Sequence, residues 1–112
     1  MLYVEDNQTV KLTRGDTAYL SVSITNPCSE TGYYVMSEND TLTLSVKKNV
    51  KDDGYIFTKS ITGSNEFHIE PEDTADSAFG KFVYDVQLTT ESGDIYTIIE
   101  PHTFEIMSEV TV

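Results

Sequence analysis

The sequence has very few of the residues that usually carry covalent or metal chemistry. Its 112 residues include one cysteine, Cys28, and no tryptophan. A single cysteine excludes an intrachain disulfide, so the chain is not a disulfide-rich extracellular module. No run of about eighteen apolar residues is present, and no basic segment followed by an apolar run opens the sequence. These features predict one domain, residues 1–112, that folds in a cytosol without disulfides.

Positive charge is scarce as well. Seven Lys and Arg residues stand against 19 Asp and Glu residues, which gives a formal net charge of −12. Phosphate backbones and anionic membrane surfaces repel such a chain, so we expect neither nucleic acid nor a membrane as its partner. The acidity itself indicates good solubility and resistance to edge-to-edge association of strands.

The motifs that carry catalysis, cofactors or metals are missing from the sequence. It contains no nucleophile elbow, phosphate-binding loop or dinucleotide-binding glycine pattern. Cys28 follows a proline in a polar segment without a neighbouring base, and His68 and His102 have no Cys or His at ligand spacing. The loop carboxylates leave calcium binding as a minor alternative, because the acidic order of an EF-hand is absent. We therefore predict no enzyme activity, no cofactor and no metal.

What the sequence does contain is a succession of short segments in which apolar and polar residues alternate. They recur about every ten residues with turn residues between them, which is typical of an all-β domain. Residues 8–12 and 17–25 are predicted to form a hairpin-like pair or a strand that crosses between sheets. Residues 55–61 and 65–69 are predicted to form a second hairpin, and Pro101 is predicted to interrupt the strands near the end of the sequence.

The segment at residues 79–88 is the most informative, because aromatic and aliphatic residues occupy every second position from Phe82 onward. A short helical turn is predicted just before it, near residues 74–79. Such a corner leading into a late aromatic strand is typical of immunoglobulin-type sandwiches, in which a tyrosine and a cysteine occupy the positions held here by Phe82 and Tyr84. The predicted fold is an antiparallel immunoglobulin-like β-sandwich of about seven or eight strands.

Two features have both a functional and a structural interpretation. The tripeptide Arg14-Gly15-Asp16 matches an integrin-binding sequence, but it lies between two predicted strands, where Gly and Asp are ordinary turn residues. Four tyrosines are candidates for stacking against sugars, although sheet propensity and core filling explain them with fewer assumptions. These tyrosines are Tyr33, Tyr34, Tyr55 and Tyr96.

Several segments together resemble a known family. They are LTRGDT at residues 12–17, EPEDT at 70–74, GKFVYDVQL at 80–88, YTII at 96–99 and FEI at 104–106. The chain looks like small immunoglobulin-like proteins encoded by phages and prophages of Firmicutes, and like the N-terminal domain of phage upper baseplate proteins. The resemblance implies a structural protein of the virion, in the tail, in the baseplate or associated with a fibre, without catalytic residues.

Such a protein would act by docking, and the sequence offers two candidate sheet edges for it. The candidate docking residues are Tyr33, Tyr34, Val35 and Met36 in a predicted edge strand, and Phe104 and Ile106 in the terminal strand at residues 104–110. The implied partners are other virion proteins and further copies of this chain, after synthesis in the cytoplasm of a bacterial host. The alternative function is a carbohydrate-binding module, or adhesin, that recognises host-surface glycans through the four tyrosines.

Overall fold

The regular structure of the described residues consists of β-strands and one short helix, which confirms the all-β prediction. The computed structural model describes residues 2–4, 8–24, 32, 34–51 and 54–108. In chain order the elements are β1 (Leu2–Val4), β2 (Val10–Thr13), β3 (Ala18–Ser21), β4 (Thr41–Lys47), β5 (Phe57–Thr62), β6 (Glu66–Ile69), α1 (Pro71–Ala75), β7 (Gly80–Thr89) and β8 (Ile95–Met107). No helix in this part of the chain has the length and apolar character that crossing a membrane requires.

Six of the strands form one mixed sheet, in the order β1-β2-β8-β7-β4-β5. Its neighbouring strands are antiparallel except for β2 and β8, which run parallel with Val10 opposite Phe104 and Leu12 opposite Ile106. The prediction of a purely antiparallel arrangement is therefore wrong for this pair. Parallel neighbours need a long connection, and here nearly the whole domain lies between the two strands.

The remaining strands, β3 and β6, form a separate two-stranded antiparallel sheet. The predicted hairpin at residues 55–69 is therefore wrong, because β5 pairs with β4 while β6 pairs with β3. The connection at residues 63–65 carries the chain from one sheet to the other. β2 and β3 also lie in different sheets. Of the two alternatives for residues 8–12 and 17–25, the chain therefore crosses between sheets and does not form a hairpin.

The two sheets pack their apolar faces into one core. β4 shows the pattern most clearly, because its leucines and valine are buried while the threonines and serine between them face outward. An aromatic cluster lies at the centre, where the Phe104 ring is edge-on to Phe57 at 5.7 Å and to Tyr84 at 5.9 Å between ring centroids. Phe67 and Ile69 reach the same core from β6. Stability thus comes from apolar burial.

The helical corner before β7 begins earlier than predicted, with α1 at Pro71–Ala75 where we expected a turn near residues 74–79. Pro71 favours this start, because its fixed φ suits the first turn and its missing N–H costs no hydrogen bond there. The Glu70 backbone N–H also donates to the Asp73 carboxylate at 2.8 Å, which caps the same end. Gly80, with φ of 134°, then opens β7.

Pro101 does not end a strand, as the sequence suggested, but lies within the continuous strand β8. The register against β7 shifts there, since Tyr84 lies opposite His102 while Val86 lies opposite Ile99. Glu100 and Pro101 of β8 therefore both lie opposite Asp85 of β7. A bulge of this kind tolerates proline, because one residue in it does not need to donate to the ladder.

Candidate docking surface

The main candidate site is one side of β8, which is paired along only part of its length. β7 accompanies β8 from Ile95 to Ile106. On the other side, β2 covers only residues 104–107, and no described strand pairs with residues 95–99 there. We call residues 95–99 of β8 the free edge. No strand of the described residues occupies its backbone N–H and C=O groups on that side, and such groups can pair with another strand.

The side chains of the free edge are apolar or uncharged, and those of Ile95, Tyr96 and Thr97 are exposed. Ile95 is 64% exposed and Tyr96 is 55% exposed. Ile95 lies opposite Thr89 and Tyr96 opposite the buried Leu88, so the two side chains project to opposite faces of the sheet. An uncharged, exposed edge of this kind is a template for pairing with another extended chain.

Acidic residues flank the free edge at both ends. Glu91 and Asp94 lie in the turn that precedes it, and Glu100 follows it directly. All seven Lys and Arg residues of the chain lie at or before Lys81. After Lys81, the charged side chains of the β7–β8 hairpin at neutral pH are therefore all carboxylates, with the histidine taken as neutral, and the free edge lies in a locally negative field.

The turn between β7 and β8 is anchored to the domain by Asp40, a buried carboxylate that is 2% exposed. Its carboxylate accepts hydrogen bonds from the Tyr34 hydroxyl, from the Ser37 backbone N–H at 3.0 Å and from the Glu91 backbone N–H at 3.2 Å. The Asp40 carbonyl also accepts from the Gly63 N–H at 2.9 Å. One residue thus joins three segments that lie far apart in the sequence.

The electrostatics of Asp40 indicate a structural role. The hydrogen bond from Tyr34, followed by that from the Ser37 backbone, holds the pKa of the Asp40 carboxyl below its ordinary value of 3.8. The same bond to Asp40 raises the pKa of the Tyr34 phenol above 10.0, and burial raises it further. A carboxylate held by three donors is a poor base, so this cluster is suited to fixing loops rather than to proton transfer.

The first predicted docking segment, residues 33–36, does not form an edge strand in its described part. Tyr33 lies outside the described residues, and residues 34–37 are extended but have no strand assignment. Tyr34 is half-buried and donates its backbone N–H to the Ile24 carbonyl at 2.7 Å. Met36 is half-buried against the core, whereas Val35 is exposed. This segment is tied down by Tyr34 and offers Val35 alone as an exposed apolar contact.

The second predicted docking segment is corrected by the structure. Phe104 and Ile106 belong to the core, with exposures of 0% and 1%, and their strand has neighbours on both sides. Alternation predicted the strand correctly but not its place in the sheet, because β2 returns to pair with residues 104–107. Neither side chain is therefore exposed for docking, and the free side of β8 lies nearer its beginning. Residues 109 and 110 of the predicted segment lie outside the described residues.

The three described tyrosines of those proposed for sugar stacking do not all lie on one face. Tyr55 precedes β5 at the end of the sheet where Lys47 lies, with the Lys47 ammonium 5.0 Å from its ring centroid. Tyr34 and Tyr96 lie at the opposite end, about 20 Å away by strand length, and the hydroxyl of Tyr34 is already bonded to Asp40. Sugar stacking stays a prediction, without a surface that these three residues share.

The Arg14-Gly15-Asp16 tripeptide has a structural explanation in its contacts with the helical corner. The Arg14 guanidinium lies 4.0 Å from the centroid of the Phe79 ring and donates to the Ser77 carbonyl at 3.1 Å. The Gly15 N–H donates to the hydroxyl of the buried Thr74 at 2.8 Å. Gly15 has φ of 79°, which a side chain would disfavour. The tripeptide thus fixes the turn after β2 against α1.

The absence of a metal site and of catalytic groups stays a prediction, and Cys28 lies outside the described residues. Among the residues that are described, no group of three or more His, Cys, Asp or Glu side chains is arranged to hold a metal ion. His68 stacks on Tyr19 at 4.7 Å between ring centroids on the smaller sheet. His102 lies in β8 near Tyr84, so the two histidines contribute to separate surfaces.

Comparison of the chain with protein families, curated proteins and solved structures finds no significant match. The resemblance to phage proteins therefore stays a prediction, and the free edge is the feature on which a functional proposal can be built. The sequence analysis used residues 96–99 only for the resemblance and Tyr96 only for sugar stacking, and it did not single out this run for docking. Two signals were present, namely the uncharged run at residues 95–99 and the absence of Lys and Arg after Lys81.

Proposed function

We propose that this chain is a non-enzymatic immunoglobulin-like docking module and a structural protein of a phage or prophage virion. Its strand connectivity supports the immunoglobulin-like assignment. β3 and β6 correspond to strands B and E of that fold, and β4, β5, β7 and β8 to strands C, C′, F and G. The short helix α1 then occupies the corner that leads into strand F.

The observation that carries the docking function is the free edge. Ile95 and Tyr96 are exposed, and on one side of their strand no described strand pairs with the backbone. Long exposed edges are usually blocked by lysine, proline or a covering loop unless they serve as binding sites. Here the only proline of β8, Pro101, lies beyond the free edge, and no lysine interrupts it. The edge is thus suited to contact with another protein.

The placement in a virion is supported by the resemblance and by the general chemistry of the chain. One cysteine and a core of apolar side chains suit a protein that folds in a bacterial cytoplasm and is then incorporated into a particle. Virion proteins are present in many copies on symmetric assemblies, so weak contacts at each copy add up. The module would act by binding alone, with no bond made or broken.

The test is to look for the chain in particles. The encoding bacterium is treated to induce its prophages, particles are purified by density gradient, and their proteins are quantified by mass spectrometry. We expect the chain to copurify with capsid and tail proteins in a fixed copy number per particle. An immunogold label at the tail tip or baseplate would give its position.

The control for this experiment is an abundant cytosolic protein of the same bacterium, which should be lost during purification. If the chain is depleted to the same extent as that control, the virion assignment is wrong. If the chain is retained but a particle lacking its gene is unchanged in structure and infectivity, the structural role is wrong.

A further inference from the structure

We infer that the free edge binds an extended, apolar segment of another protein that is flanked by Lys or Arg, and that this segment adds to the sheet as a further strand beside β8. This inference rests on the proposed docking function and names the chemistry of the partner. It follows from three properties of residues 95–99, which are their unpaired backbone, their side chains and the charges at their ends.

The unpaired backbone selects an extended partner. A free strand edge offers N–H and C=O groups at the spacing of another strand, which neither a helix nor a compact loop can match along its length. Ile95 and Tyr96 project to opposite faces of the sheet. An added strand would place its own alternate side chains beside both of them, so apolar or β-branched residues are favoured in the partner.

The charges select a basic partner. Asp94 precedes the free edge and Glu100 follows it, and Glu91 lies in the same turn as Asp94. No Lys or Arg lies between Lys81 and the end of the sequence. A partner strand with Lys or Arg at both of its ends would meet opposite charges, whereas one with acidic ends would meet like charges, which are destabilising across a sheet.

The same charges disfavour a second copy of this chain at this edge. In an antiparallel pairing of two free edges centred on Thr97, Asp94 of one copy lies opposite Glu100 of the other, and the reverse contact repeats by symmetry. Like charges directly opposite each other weaken such a pair. The geometry therefore points to a different protein as the occupant.

Two synthetic peptides of identical core test the proposal on the full chain. Both contain alternating Val and Thr residues, and one has two Lys at each end while the other has two Glu at each end. We expect the Lys-flanked peptide to bind about tenfold more tightly by fluorescence anisotropy at low salt. The preference should shrink as the salt concentration rises.

The location of binding is read by amide hydrogen exchange. At a peptide concentration ten times the dissociation constant, exchange at the outward-facing amides of residues 95–99 should slow by about tenfold. Protection at β5 or β3 instead would overturn the assignment of the free edge. Equal affinity for the two peptides, or no binding of either, would overturn the basic partner.

A charge-reversal variant gives the decisive comparison. The double substitution Asp94→Lys with Glu100→Lys should reverse the preference in favour of the Glu-flanked peptide. The matched control, Glu66→Lys with Asp76→Lys, changes the net charge equally on exposed positions outside β8 and should keep the original preference. If both double variants behave alike, only net charge matters and the site is wrong. None of these results alters the particle experiment, which tests the proposed function separately.

Discussion

The two halves of β8 have similar β propensity but very different surroundings. Residues 104–107 pair with β2 and, as far as Ile106, also with β7, and the side chains of Phe104 and Ile106 are buried in the core. Among the described strands, only β7 is a neighbour of residues 95–99, and Ile95 and Tyr96 are exposed. One strand therefore serves both as a core element and as the candidate docking surface.

This difference shows that the number of neighbouring strands, and not local β propensity, decides whether each half of β8 contributes to the core or to the surface. In the paired half, Phe104 and Ile106 alternate with Thr103 and Glu105, as expected for one buried face. In the free half no charge interrupts the run from Ile95, which would be a poor choice for a surface without a partner. The free half is therefore where function, rather than stability, is expected to depend on the side chains.

The largest expected effect comes from truncating the paired half. Phe104→Ala removes a ring that contacts Phe57 and Tyr84 in the middle of the core. We expect the free energy of unfolding to fall by about 3–5 kcal/mol. Ile95→Ala, the matched change in the free half, should alter it by less than about 0.5 kcal/mol. Urea denaturation measures both, and similar losses would show that the two halves are not as different as their burial indicates.

The next effect concerns the anchor that holds the turn before the free half. Asp40→Asn replaces a charged acceptor that binds Tyr34, Ser37 and Glu91. At neutral pH we expect the melting temperature to fall on the order of several degrees. Exchange should accelerate at the Glu91 amide and leave the paired half, residues 104–107, unchanged.

The pH dependence of this variant follows from the direction of the pKa. Because the folded-state pKa of Asp40 lies below 3.8, its contribution to stability is present above that pH and is lost as the pH falls through the folded value. The wild-type protein should therefore lose more stability than Asp40→Asn between about pH 4 and pH 2. Glu66→Gln serves as the control and should lose stability with pH as the wild type does. If the stability of the wild type and of Asp40→Asn fell in parallel as the pH is lowered, the Asp40 carboxylate would not be the group that anchors the turn.

A smaller loss of stability is expected from a change at Tyr84, near the point where β2 begins to pair with β8. The Tyr84 hydroxyl donates to the Gln8 carbonyl at 2.6 Å, which holds the chain just before β2 against the sheet. Tyr84→Phe should cost about 1 kcal/mol and should accelerate exchange at the first amides of β2. Such fraying would lengthen the free half at the expense of the paired half. Tyr55→Phe, at an exposed position, should change neither quantity.

Much of the fold was predictable because burial of one face imposes alternation. β7 follows its predicted pattern, and β4 shows the same alternation, since each of them lies between two neighbours and packs one face on the core. The partners of β5 and β6 were not predictable. The short connection at residues 63–65 is typical of a hairpin, yet Phe57 and Phe67 enter the core from different sheets. Only packing over the whole chain decides between the two.

The candidate site was predictable only in its ingredients. The uncharged run at residues 95–99 is visible in the sequence, but its free side depends on β2 beginning as late as Val10 beside Phe104. The segment around Asp40 likewise has the composition of an ordinary turn. The contact between Asp40 and Glu91 spans 51 positions in sequence. Long-range contacts of this kind leave no local signal, so the anchor and the free edge required the structure.

The smallest effect on stability, and the sharpest test of the comparison, is expected from Glu100→Lys. In an antiparallel pairing of two free edges, the new lysine at position 100 would lie opposite Asp94 of the other copy, so both repulsive contacts become attractive. We expect unfolding to change by less than about 0.5 kcal/mol, while sedimentation shows a dimer at concentrations where the wild-type protein is a monomer. Glu66→Lys should stay monomeric. If Glu100→Lys also stays monomeric, charge is not what keeps the free half of β8 from pairing with its own copy.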